Sequence, residues 1–370
     1  MKILIAGDFC PIGRVAEALE KDEYYLVLEE VCDITEIADY SIVNFECPVV
    51  TGNAKPLKKQ GPNLKCTPKG IEAIQYSGFD CVTLANNHFL DYGGEGVRET
   101  LCILDNKGID HVGGGMNLNE ASRTLYKEIN GKRLAIINCC EHEFSIATND
   151  KAGSNPLNPV QQYNAIVEAK RKADYVIVIV HGGHEHFQLP SPRMVETYRF
   201  FIDAGADAVA NHHQHCYSGY EVYNGKPIFY GLGNFCFDHP QKRQGIWTEG
   251  YMVVIDFMDA NVSFKLIPYN QCSREAKVGI LPERTYSERI ESLNMIISNP
   301  EYLKKTIDDY YVSCADQYSR LLEPVRNKFV LGAIHHGRIP SLISKKRKLS
   351  AVNYICCESH RDKLIHWLLS

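Results

Sequence analysis

Five short polar clusters carry the residue types that metal-assisted hydrolysis uses: Gly7-Asp8, Asn44-Phe45-Glu46, Asn86-Asn87-His88, His181-Gly182-Gly183 and Asn211-His212-His213-Gln214-His215. Their side chains are carboxylates, asparagine amides and imidazoles. Such a mixed oxygen and nitrogen set suits a divalent transition ion, manganese, iron or zinc, better than calcium or a thiophilic ion. One or two ions are expected, with Asp8, Glu46, Asn87, His181, His212, His213 and His215 as candidate ligands. A carboxylate such as Asp8 or Glu46 can bridge two ions. In two-metal hydrolases the ions stand roughly 3.5–4 Å apart, generate hydroxide near neutral pH and clamp the attacking and leaving oxygens. His88, left unbound, would protonate the leaving group.

Each cluster alone has a plainer reading. Asp8 can cap the turn after a strand, Asn86-Asn87 can form a polar turn, and His181 can be a satisfied buried histidine. The segment His212-His213-Gln214-His215 argues harder for ligands, because alternate residues of an extended segment project to one side and can share an ion. Whether His212 or His213 is the ligand stays open. The pair in His184-Glu185-His186 fits a surface loop equally well.

Position unites the clusters. Each follows a short apolar, β-branched run: residues 3–6, 41–45, 81–84, 175–180 and 208–210, with a further run at 134–138. Helical spacing lies between them, opening at Thr67-Pro68 and covering residues 93–106, 159–172 and 192–204. This alternation predicts an α/β fold whose ligands bind at the carboxyl ends of the strands. Residues 217–223, 227–232, 251–257 and 262–267 then follow with no helix between, which predicts an antiparallel second half. Helical periodicity returns at 283–298 and 302–322, ahead of the basic run Lys345-Lys346-Arg347-Lys348. The expected organisation is a domain over residues 1–275 and a mainly helical extension over 276–370.

Composition limits the partners. A net charge of -5 gives no basic field for nucleic acid. The opening apolar stretch is too short for a signal core, and no later run is long enough to span a bilayer. Fourteen cysteines without CxxC spacing read as reduced thiols, so a cytoplasmic location is expected and a thiolate zinc site is not.

The sequence resembles the bacterial capsule-synthesis family, the CapA or poly-γ-glutamate capsule proteins, which are in turn similar to calcineurin-type metallophosphoesterases. The resemblance runs through Gly7-Asp8 with Arg14, Asn44-Phe45-Glu46, Leu84-Ala85-Asn86-Asn87-His88 with Asp91-Tyr92-Gly93, and His111-Val112-Gly113-Gly114-Gly115. It continues through His181-x-Gly183-x-Glu185, residues 202–207, His212-His213-Gln214-His215 and residues 225–235. It implies a four-layer α/β/β/α sandwich. Asp8 then matches the first metal ligand, Glu46 a bridging aspartate, Asn87-His88 the asparagine-histidine pair, and His181 with His213-x-His215 the later ligands. Cys10 departs from the usual aspartate-x-histidine element. Arg14 would hold an anionic substrate and Glu185 would orient a ligand. The implied activity is hydrolysis of a phosphoester or amide in capsule or envelope polymer synthesis. The alternative is a non-catalytic, polymer-binding accessory. An anionic polymer, a phosphorylated small molecule or capsule-biosynthesis enzymes are the expected partners.

Overall fold

The computed structural model describes residues 1–258, 261–323, 325, 327–357, 359–360, 363–364 and 368. In chain order the strands are β1 (Lys2–Phe9), β2 (Tyr40–Phe45), β3 (Cys81–Thr83), β4 (Asp110–Val112), β5 (Gly114–Gly115), β6 (Leu125–Ile129), β7 (Lys132–Cys140) and β8 (Gly153–Ser154). They continue with β9 (Tyr175–His181), β10 (Ala208–His212), β11 (Tyr220–Tyr223), β12 (Lys226–Phe229), β13 (Asn234–Cys236), β14 (Glu249–Met258), β15 (Asn261–Gln271) and β16 (Val278–Ile280). One large sheet runs β16-β15-β14-β1-β2-β3-β4 with β13 beside β1. The other runs β11-β12-β10-β9-β7-β6, and β5 pairs with β8.

Alternation along the central strands builds two cores. Ile3, Ile5 and Ile42 face the second sheet and meet its Ile136, Ile177 and Ala210. Leu4, Ala6, Val43 and Val82 point the other way. There they pack against α1 (Arg14–Leu19), α2 (Tyr24–Thr35), α3 (Lys69–Tyr76) and α4 (Gly93–Lys107), which contribute Val15, Val31, Ile71 and Leu104. Because both faces of β1 and β2 are covered, their sequences read as continuous apolar runs. The single-turn α5 (Leu118–Ala121) adjoins the β5–β8 pair, while α6 (Pro159–Lys172) and α7 (Pro192–Ala204) cover the outer face of the second sheet. Prolines at the first turn and side-chain caps from Asn158 and Ser191 start these last two helices. The four-layer α/β/β/α sandwich expected from sequence is the fold observed.

Two expectations change. The second half is mixed, with β14 and β15 antiparallel but β12 parallel to β10 and β13 parallel to β1. The hairpin at Asn224-Gly225, both with positive φ, reverses β11 into β12 and lays β12 along β10. The compact first unit also ends at Lys304, past the expected boundary near 275. β16 pairs with β15, and Tyr286 and Ile290, at the start of α8 (Ser287–Ile297), join the core between the sheets. α9 (Pro300–Leu322) crosses into the second unit, which holds α10 (Lys328–His335) and α11 (Lys345–Cys356). The basic run opens α11 and is exposed. Among the described residues no helix is long and apolar enough to cross a membrane.

Candidate metal centre

Asp8 sits where β1 runs between β2 and β13. Its amide donates to the Gly233 carbonyl at 3.2 Å, and a Cβ on Gly7 would run into that same oxygen. Glycine at position 7 is therefore what lets the backbones close and fixes the Asp8 carboxylate. Glu46 lies one residue beyond β2, its amide held by the Phe9 carbonyl at 2.9 Å. β10 ends at His212, and His213 and His215 then adopt φ values of 89° and 56°. The two imidazoles converge through a left-handed bend, not through the extended segment expected. Non-glycine residues held there carry strain, which the surrounding structure must impose.

Two groups of donors form around a shared carboxylate. Glu46, His181 and His213 make one and Asp8, Glu46 and His215 the other, with the ligand atoms of each within 4.8 Å of one another. Asn87 Oδ1 and His213 Nδ1 both stand 3.1 Å from His181 Nε2, so Asn87 brings a fourth donor to the first group. The second group has three, because Cys10 turns into the apolar core beside Cys47.

These residues fit a divalent cation. Both Glu46 oxygens are buried and without a hydrogen-bond partner. Burial, reinforced by the charge of Asp8, raises the Glu46 carboxyl well above its usual range, and burial raises Asp8 against hydrogen bonds from Asn44 and the His213 amide. Burial and the neighbouring imidazoles push His181 and His215 well below the ordinary histidine value. The histidines thus resist supplying a proton to the acids, and a metal ion is the counter-charge this set accepts. Supporting amides aim the ligands: Asn44 Nδ2 donates to Asp8 Oδ1 at 2.7 Å, and Asn234 Oδ1 lies 2.9 Å from His215 Nδ1.

His88 stands beside the two groups. Its Nδ1 is 2.6 Å from Asp91 Oδ2, and its amide donates to Asn86 Oδ1 at 3.1 Å. Lys59 forms an ion pair with Asp91, and its Nζ lies 3.2 Å from His88 Nδ1. The lysine side chain is only 2% exposed although it comes from a loop without helix or strand. With Nδ1 committed to Asp91, Nε2 is the nitrogen free to exchange a proton.

Three expected site residues belong elsewhere. His212 Nε2 bonds to the Ala6 carbonyl at 2.9 Å and joins neither group, so His213 is the one of the pair that faces the other donors. Arg14 is engaged by the Asp238 carboxylate and by the carbonyls of Cys272, Ser273 and Arg274, which leaves it no anion to hold. Glu185 is half exposed, lies 3.9 Å from the neighbouring His186 and joins neither donor group. Asn44, Asp91, Asn234 and Lys59 lie outside the site residues expected from sequence. The first three fall inside the recognisable motifs, whereas nothing in the sequence around Lys59 marks it.

Residues 2–239 match the family described as bacterial capsule synthesis protein PGA_cap. The capsule biosynthesis protein CapA of Bacillus anthracis is 32% identical over 251 residues, covering 66% of this chain and 61% of that protein. The PGA biosynthesis protein CapA of Bacillus subtilis strain 168 is 33% identical over 241 residues, covering 64% and 63%. The chain thus spans about three fifths of the length of these relatives. A 5′-nucleotidase precursor of Thermus thermophilus superposes with a TM-score of 0.44 at 12% identity, over 83% of this chain and 59% of that one. With well over half its length inside the family match, the chain belongs to the bacterial capsule synthesis protein family.

Proposed function

We propose that the chain is a metal-dependent hydrolase of a phosphoester or of an amide in a glutamate-rich or cell-envelope polymer. The observation that carries the reading is Glu46: a buried carboxylate with no hydrogen-bond partner, flanked on both sides by donor groups that include it. Glu46, Asn87, His181 and His213 would hold one ion, and Asp8, Glu46 and His215 the second, from among manganese, iron and zinc. When bound, such ions supply Lewis acidity and activate water near neutral pH. His88 delivers a proton from Nε2 to the departing oxygen or nitrogen, while Asp91 and Lys59 keep the ring oriented. The free cysteines among the described residues support a reducing, cytoplasmic setting.

A second reading, an accessory that binds polymer or capsule-biosynthesis enzymes without turnover, draws support from the three-donor group left by Cys10. Metal analysis paired with a screen of phosphodiesters and γ-glutamyl peptides separates the two. The hydrolase binds about one to two ions per chain, and His88→Ala lowers turnover about 100- to 10,000-fold with metal retained. Metal-free native protein that binds polymer and releases no product supports the accessory.

A further inference from the structure

The motif His184-Glu185-His186 is not absorbed by the metal centre, yet one of its residues borders it. His186, held at a φ of 61°, sets its ring 5.9 Å from that of His215 and 5.5 Å from that of Trp247. Its amide donates to the Gln214 carbonyl at 2.8 Å, which ties this loop to the segment carrying the ligand histidines. Trp247 itself lies 4.8 Å from the His215 ring and is almost fully buried. Above it stands Lys242, whose Nζ is 4.2 Å from the indole centroid and 2.7 Å from His186 Nε2.

The charge on Lys242 sets this wall apart. Arg14 and Arg243 share the Asp238 carboxylate, and Lys59 pairs with Asp91. Lys242 has an aromatic face and an imidazole nitrogen; among the described residues no carboxylate lies within ion-pairing distance of it, and the half-exposed Glu185 acts on it only from farther off. A π face and a neutral ring compensate an ammonium only in part, so an anion from outside the chain is its natural partner.

We propose that Lys242, His186 and Trp247 form an anion subsite beside the metal centre. It takes a carboxylate or phosphate that lies away from the scissile bond. The subsite thereby selects a substrate carrying repeated negative charge; this role rests on the hydrolase reading for the position of the reacting bond.

Trp247 and Trp367 are the two tryptophans of the chain, so a Trp367→Phe background makes Trp247 a reporter of occupancy. The full chain is titrated at constant ionic strength with tri-γ-glutamate and, separately, with inorganic pyrophosphate, by Trp247 emission and by calorimetry. Saturable binding is expected, with Kd raised at least tenfold by Lys242→Met and restored to within about threefold by Lys242→Arg. A response to the peptide alone assigns the subsite to carboxylates, and a response to pyrophosphate alone to phosphates. No binding of either probe, or equal Kd in Lys242→Met, overturns the proposal. Turnover is read separately. Lys242-dependent binding without any hydrolysis keeps the subsite and removes the hydrolase reading, whereas hydrolysis with Lys242-independent binding removes the subsite.

Discussion

Asp238 and Glu46 are both fully buried acids, yet the fold treats them oppositely. Asp238 receives the Arg14 amide at 2.7 Å, Arg14 Nε and Nη2 at 3.0 and 2.8 Å, and Arg243 Nε and Nη2 at 2.9 and 3.1 Å. Burial alone would raise its carboxyl, but these donors outweigh it and hold the group at about 2. Glu46 receives no donor and is driven the other way. The chain can therefore satisfy a buried carboxylate with its own cations. Where it leaves one bare among histidines, the missing charge is one that function brings.

The contrast makes predictions of opposite sign. Glu46→Gln removes a carboxylate from both donor groups, so turnover should fall roughly 1000-fold, ~4 kcal/mol of barrier, and bound metal should be largely lost. In chelator-treated protein the same change should raise thermal stability, because an unpartnered buried acid is gone. Metal analysis and melting curves with and without chelator check both signs; a stable, fully metallated and active Gln variant would break the comparison. Asp238→Asn should instead cost about 3 kcal/mol of stability by stranding two arginines, with metal content unchanged. Denaturant midpoints measure that loss.

These two acids also differ in how legible they are from sequence. Glu46 is readable because a strand-end carboxylate joins a pattern of ligand types, and the central strands are readable because burial on both faces leaves unbroken apolar runs. Asp238 is not, since its partner Arg14 is brought to it by β1 meeting β13, a long-range pairing that no local pattern encodes, and only Arg243 is a local neighbour. For the same reason Arg14 looks like an anion binder: the sequence displays a guanidinium and hides the carboxylate already bound to it. His212 and His213 are inseparable in sequence because their sorting depends on a left-handed bend that ordinary residues seldom adopt. The antiparallel expectation for β12 fails on a hairpin that is itself legible, since its turn does not say which older strand it will join.

Acid should expose the Asp238 side of the comparison. A carboxyl depressed to about 2 in the folded state, against roughly 3.9 unfolded, adds stability that is complete above about pH 4. As pH falls through 4 towards 2 the unfolded chain takes up the proton first, and roughly 2 kcal/mol should drain away. Asp238→Asn should flatten this part of the stability-versus-pH curve. A variant that loses stability with the same acid slope as the parent would show that other groups carry it.

Asp91 lies between the two extremes: like Asp238 it is neutralised by a cation of the chain, and like Glu46 it stands in the site. Lys59→Met tests which resemblance matters. If the clasp serves His88, the variant should lose about tenfold in kcat, ~1.4 kcal/mol, with KM and metal content little changed. The loss should be larger for esters with poor leaving groups, which need the proton most, than for activated aryl esters. Lys59→Arg keeps the positive charge and should recover much of the rate. A drop in melting temperature with kcat intact for every leaving group would instead align Lys59 and Asp91 with the Arg14–Asp238 clasp, leaving His88 to be oriented by Asp91 alone.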